Sequence, residues 1–374
     1  MRIAYVSVDP GIPVFGTKGA SVHIQEVVRE FRARGHHVTV YATRIGEHVP
    51  EDLAGLDVVH VGVAKGDPAA RERAQRTASD MIARQVIDGG ADLVYERYSL
   101  FSTALARVGA SLGARTVLEV NAPLIEEQRR HRDLVDAPFA WAALRAQVKA
   151  ASATVCVSDP VRAWVRRHTD GGRVHTVANG VGVQRIAPQP ESNGAPVVTF
   201  VGTLKPWHGV SDLVEAAALA HVPWRLRIIG DGPERGALEG LAARLGVEVE
   251  FRGAVAPAEI PRHLAGSAVG VAPYPASPAD GDQYFSPLKV YEYLAAGLPV
   301  VASAVGQLPA ILDGDGVLVP PSDPAALAGA LDGLAADPAL RSRMGRLARA
   351  HAVERHSWAG VVDRILALAE AGDE

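Results

Sequence analysis

Short aliphatic and β-branched runs alternate with helical stretches of roughly ten to fifteen residues, which is the pattern of a parallel sheet wound with helices on both faces. The chain goes through that alternation twice. In the first pass the strands read as Ile3–Val8, His37–Ala42, Val58–Val61, Leu93–Tyr95, Thr116–Val120 and Thr154–Val157, with helices such as Ala20–Arg34 between them. The run Thr169–Ala195 is richer in Gly, Pro and Asn, and Gln189–Pro196 has no apolar period, so it reads as a linker. Strands then resume at Val197–Val201, Leu226–Ile229, Val247–Arg252, Val269–Ala272, Pro299–Ala302 and Gly316–Val319. The fold class is α/β: two tandem doubly wound domains, 1–188 and 189–356, facing a central cleft. A last helix, Ser357–Ala371, is left over. A chain of 374 residues suits two such domains.

Composition removes several classes of function. The 48% apolar and 21% charged fractions are those of an average soluble chain. A formal charge of −4 provides no basic field for nucleic acid. One cysteine makes no internal disulfide, and Cys156 in TVCVS reads as a buried strand residue. Apolar runs such as Ala137–Leu144 fall far short of the ~20 residues that span a bilayer. The opening MRIAYVSVDPG is a first strand cut off by Asp9, not a signal peptide. The expected location is therefore cytoplasmic, with membrane contact at most peripheral, at the inner face.

Three strand-to-helix turns carry the candidate chemistry. Only five of the 38 basic residues are lysine, and three of them, Lys18, Lys205 and Lys289, fall in or beside such turns, where a compact cation suits phosphate. In Tyr284–Val300, Ser286 reads as an N-cap and Pro287 as the first helical residue, with Leu288 and Lys289 in the first turn. A helix start favours anions, so a cation placed there makes sense beside a bound phosphate. Glu292, one turn on, is placed to accept two hydroxyls of a ribose; the competing reading is a surface ion pair between Lys289 and Glu292. In Phe200–Val210, Gly202 and Gly209 allow close backbone approach, Lys205 and His208 offer cationic or donor groups, and Trp207 reads as packing the loop. The first turn, Asp9–Ala20, brings Gly11, Gly16 and Gly19, which do not fit G-x-G-x-x-G. The second strand leads to Thr43-Arg44 with no acidic residue, so a dinucleotide oxidoreductase loses on both counts. Glu126–Asp133 reads as a solvated charged helix face, and no His, Cys or Asp spacing suggests a metal site.

Taken together, VANGV at Val177–Val181, FVGTLKPWHG at Phe200–Gly209, IIGDGPER at Ile228–Arg235 and SPLKVYEYLAAGLPVVAS at Ser286–Ser303 resemble the GT-B glycosyltransferases, and most closely glycosyltransferase family 4. The resemblance covers nearly the whole chain. It implies two Rossmann-like domains, a nucleotide-sugar donor on the C-terminal one, an acceptor on the N-terminal one, and a last helix (357–374) crossing back to the latter. It implies donor contacts from Gly16, Gly19, Gly202, Thr203, His208, Gly230, Ser286, Pro287, Leu288 and Glu292. Thr203 and His208 stand where the family often has its diphosphate-clamping Arg and Lys, which makes Lys205 the replacement cation. Tyr284 stands where the family has a second glutamate, so that contact is either missing or supplied by Asp282 or Asp280. Glu119-Val120-Asn121 ends the strand where the family tends to place a histidine, and Asn121 is taken as its candidate.

The expected activity is retaining sugar transfer from a nucleotide diphosphate, without metal or other cofactor. Lys205, Lys289, Asp282 and Asn121 are its catalytic candidates. The acceptor is a small molecule, a lipid-linked molecule or a glycan, and the protein is a monomer or homodimer. The competing readings are a catalytically silent nucleotide-sugar-binding homologue, kept open by Tyr284, and a hydrolase or epimerase of nucleotide sugars on the same fold.

Overall fold

The computed structural model describes residues 1–277 and 283–371. The chain forms two compact units. The first comprises Met1–Asn179, the short segment Tyr284–Ser286 and the chain from Trp358; the second comprises Gly180–Gln283 and Pro287–Ser357.

In the first unit, strands β1 (Arg2–Ser7), β2 (His37–Ala42), β3 (Asp57–His60), β4 (Leu93–Arg97), β5 (Arg115–Val120), β6 (Ala153–Cys156) and β7 (Val174–Thr176) form one seven-stranded sheet in the order β3-β2-β1-β4-β5-β6-β7. Every neighbouring pair is parallel. Helices cover both faces, so the central strands are buried from end to end, as in β4 and β6. The helix Trp358–Glu370 lies against Gly19–Ala33 in this unit: Arg34 bonds Asp363 at 2.7 Å and the carbonyl of Ala359 at 2.8 Å. The last helix therefore belongs to the first unit.

In the second unit, β8 (Val197–Val201), β9 (Arg225–Ile229), β10 (Val249–Gly253), β11 (Val269–Ala272), β12 (Val300–Ser303) and β13 (Gly316–Val319) form a six-stranded parallel sheet in the order β10-β9-β8-β11-β12-β13. Its core is a continuous set of aliphatic side chains around Val198, Phe200, Leu213, Ile228 and Val271. Each fully buried side chain of this size contributes about 1.5–3 kcal/mol.

Two features differ from the sequence reading. Strand β7 lies in the Gly-, Pro- and Asn-rich run, where three residues are too few to show a period. The units part at Asn179–Gly180, not at 188–189. The intervening backbone is fastened to the second unit: Arg349 donates to the carbonyls of Val183 (2.9 Å) and Ile186 (2.8 Å). The stretch read as a linker is held as well, since Arg341 grips the Glu191 carboxylate at 2.7 and 3.0 Å and Ser192 donates its amide to Gly266. Among the described residues, no helix is long and apolar enough to cross a membrane.

Candidate active site

The second sheet contains a reversal. The chain winds outward from β8 through β9 to β10, then returns to the other side of β8 to lay down β11. Crevices form at the carboxyl ends of strands at such a reversal. Here the two strands pair at Val269–Val198 and Gly270–Thr199. Further along, the hydroxyl of Tyr293 stands between them, accepting from the amide of Val201 (2.7 Å) and donating to the carbonyl of Val271 (3.3 Å). Gly270 makes this possible, because a Cβ there would fall 2.4 Å from the Tyr293 ring.

Tyr293 lies on the helix Leu288–Ala295, which also carries Lys289. That lysine is buried, with its Nζ 4.1 Å from the centroid of Phe200 and 5.1 Å from that of Tyr274. Among the described residues its ammonium has no hydrogen-bond partner. The burial pulls its pKa down to about 7, against the opposing pull of Glu292. Lys289 is thus no surface ion-pair residue. Gly202, just past β8, admits it: a Cβ at that position would lie 2.9 Å from Nζ. Gly230, past β9, in turn leaves room for the carbonyl of Gly202.

His208 faces Tyr274 edge-on, with ring centroids 5.8 Å apart. Burial and the Lys289 charge push its pKa down to about 3, so the ring is neutral and not a cation. Its Nδ1 is 2.5 Å from the carbonyl of Thr203, which can only accept, so Nδ1 carries the proton and Nε2 keeps a lone pair. Thr203 itself is exposed. Lys205 lies 5.2 Å from the centroid of Trp207, whose indole is 61% exposed. Trp207 therefore does not pack the loop, as its sequence context suggested.

The helix start also differs from the reading. Pro287 is the cap residue, with no side-chain cap, and the helix begins at Leu288. Ser286 belongs to the first unit, where its Oγ accepts from the amide of Asn179 (3.0 Å) and its carbonyl from the Asn179 side chain (2.9 Å). Tyr284 is there too: its hydroxyl donates to Glu127 and its carbonyl accepts from Ser158 (2.6 Å). Asp280 and Asp282 lie outside the described residues.

The remaining candidates lie in the first unit. Gly16 has its carbonyl held by the buried Gln25 amide at 3.0 Å, and Gly19 opens the first helix, exposed. Asn121, just past β5, keeps a buried Oδ1 without a partner. Two residues earlier is a cluster that the sequence reading passed over. The Glu119 carboxylate meets His23 Nε2 at 2.5 Å, accepts from the Tyr95 hydroxyl at 2.6 Å and faces Arg97 at 3.6 Å. Burial raises its pKa, but His23, Arg97 and the Tyr95 bond together hold it below the ordinary carboxylate value. Trp358 closes the cluster, with its ring edge-on to His23 at 4.8 Å. The available signal was charge inside the apolar strands LVYER and RTVLEV, where Arg97 and Glu119 stand opposite each other.

Comparison with known proteins bears on the family and the fold. The model for "Glycosyltransferase Family 4" matches residues 17–185, and that for "Glycosyl transferases group 1" matches 195–337. A phosphatidyl-myo-inositol mannosyltransferase of Mycobacterium leprae is 28% identical, over 94% of this chain and 92% of its own. A D-inositol 3-phosphate glycosyltransferase of Kineococcus radiotolerans is 28% identical, over 98% and 94%. Among solved structures, sucrose-phosphate synthase from Thermosynechococcus elongatus superposes with a TM-score of 0.75 at 21% identity, over 99% of this chain and 98% of its own. The Anabaena protein HepE in complex with UDP does so at 0.71 and 19%, over 99% and 100%. At those identities the structural matches show the fold, which is GT-B.

Proposed function

Because this chain belongs to the family 4 glycosyltransferases, the group 1 glycosyl transferases, we propose that its second unit holds a nucleotide-diphosphate sugar and its first unit the acceptor. The reaction is transfer with retention at the anomeric carbon, without a metal ion. The observation that carries this is Lys289, a buried side-chain nitrogen with no hydrogen-bond partner among the described residues, at a helix start with no side-chain cap and at the strand reversal of the second sheet. As the bond from the anomeric carbon to the phosphate oxygen breaks, negative charge collects on the departing diphosphate. A fixed cation and helix-end amides stabilise that charge, more in the transition state than before it. The acceptor hydroxyl attacks the face the diphosphate leaves, and its proton passes to a diphosphate oxygen. Lys205 is the second cation, and Glu292, one turn from Lys289, accepts hydroxyls of the ribose.

The mannosyltransferase of Mycobacterium leprae and the glycosyltransferase of Kineococcus radiotolerans, which act on inositol-bearing molecules by name, support an acceptor hydroxyl on such a molecule, free and phosphorylated or lipid-linked. The test is incubation with UDP-glucose or GDP-mannose and either myo-inositol phosphate or phosphatidylinositol, with and without EDTA. The expected outcome is acceptor-dependent release of the nucleoside diphosphate, unaffected by EDTA, with the anomeric configuration of the donor kept in the product. Donor cleavage that ignores every acceptor would instead favour hydrolysis, and inversion would overturn the mechanism.

A further inference from the structure

Lys289 lacks what normally keeps a lysine charged. An ammonium has three protons to donate, and none finds an acceptor among the described residues. The faces of Phe200 and Tyr274 offer it some cation–π attraction but no hydrogen bond. The titratable groups around it come from three elements. His208, on the turn after β8, is neutral. Tyr274, after β11, and Tyr293, on the helix of Lys289 itself, are phenols whose pKa values burial raises further. Among the described residues, Glu292, also on that helix, is the negative group acting on Lys289, and its pull falls short of the cost of burial.

We propose that Lys289 is a proton-coupled anion receptor: above neutral pH its amine is mostly neutral while the crevice is empty, and it takes up one proton as the diphosphate of the donor enters. The proton comes from solvent. The amine plus one proton becomes an ammonium paired with a diphosphate oxygen, and the proton returns to solvent when the nucleoside diphosphate leaves. This rests on the donor site proposed above and adds to it a link between affinity and pH. The free-state pKa of about 7 puts that link in the working range. Donor affinity is then flat below pH 7 and weakens up to tenfold for each pH unit above it.

Calorimetry of the full chain with UDP-glucose and GDP-mannose decides the matter. These sugar esters lack the terminal phosphate proton of free diphosphates, so their own titration does not interfere. At one pH, the dependence of observed heat on the ionisation heat of the buffer gives the protons taken up. The expected uptake approaches one at pH 8 and falls to roughly a tenth at pH 6. Lys289→Met should bind more weakly with no uptake, and Lys289→Arg, which stays charged, should bind with no uptake and no pH dependence. Binding without uptake at pH 8 overturns the proposal while leaving the donor site standing. Uptake that survives in Lys289→Met puts the proton elsewhere and also overturns it. Failure of both sugar nucleotides to bind overturns the donor site and the proton coupling together.

Discussion

The ring of Tyr293 occupies the space that a side chain on Gly270 would need, since a Cβ there would fall 2.4 Å from the ring. The pair holds β8 and β11 apart at their carboxyl ends, with the phenol hydroxyl bonded to backbone on both strands. Tyr293→Phe removes that bridge and leaves the Val201 amide without its partner, at a cost of about 1–3 kcal/mol. Gly270→Ala costs a similar ~1–3 kcal/mol by overpacking, because a buried ring cannot swing away. Urea unfolding of both variants checks this, and a midpoint unchanged in Tyr293→Phe would mean that the hydroxyl bridge contributes nothing.

Stability should respond to Lys289 in the direction opposite to most buried residues. Its folded pKa is depressed from 10.5 to about 7, so the unfolded chain binds the extra proton between those values. The protein therefore gains stability as pH rises from 7 to 10.5, and the charge penalty is complete at and below pH 7. Lys289→Met should raise the melting temperature most at pH 6–7, with the gain shrinking towards pH 10. A variant that melts lower than the parent at pH 7 would show that the ammonium supports the fold.

Much of the architecture was legible because parallel strands buried on both faces read as unbroken apolar runs. Leu93–Tyr95 and Val269–Ala272 needed nothing beyond their own residues. The same local reading misplaced the unit boundary, because Arg349 and Arg341 hold residues 183–192 through contacts about 150 residues apart in sequence, which no local pattern reveals. At the site, the lysine-poor composition pointed to Lys289 and Lys205, yet sequence alone could not tell a buried ammonium from a surface ion pair. Burial depends on Phe200, on β8, and on Tyr274, just past β11, both distant in sequence. Ser286 had the residue type of an N-cap, but its hydroxyl is already committed to Asn179.

The Glu119 cluster predicts the acid limit of the first unit. Its folded pKa lies below the usual 4.5, so the carboxylate contributes fully above that value and its contribution is lost as pH falls through the folded pKa. Glu119→Gln leaves Arg97 without its buried counter-charge and disturbs the His23 contact, which should cost about 3–5 kcal/mol at pH 7. Urea unfolding from pH 3 to 7 should show the parent losing stability below pH 4.5 and the variant much less dependent on pH. Equal slopes for the two proteins would place the acid-sensitive group elsewhere.

The two proposed cations should differ in kind. Lys289 is fixed by packing, whereas the Lys205 ammonium rests beside an exposed indole and must be ordered at the moment of use. Lys289→Met should lower kcat/KM by about 10²–10³, the range for loss of a preorganised donor to a developing anion. Lys205→Ala should cost about tenfold, in line with a solvent-accessible pair worth ~1 kcal/mol. Steady-state kinetics would reverse the assignment if Lys205→Ala proved the more damaging.

Glu292 tests the nucleotide itself. It is half-buried on the helix that presents Lys289, three residues further on, so a diphosphate at Lys289 leaves the ribose one turn along. A carboxylate there can accept from both ribose hydroxyls, and bonds to a charged acceptor are worth about 1.5–3 kcal/mol. Glu292→Gln should weaken binding of the ribonucleoside diphosphate roughly 10–100-fold, since an amide replaces one strong acceptor oxygen with a donor. The 2′-deoxy nucleotide has one hydroxyl fewer to lose, so the same mutation should cost it clearly less. That comparison separates a ribose contact from a change in fold, because a distorted helix would weaken both nucleotides alike. Equal losses for the two nucleotides, or unchanged affinity in a folded variant, would remove Glu292 from the ribose.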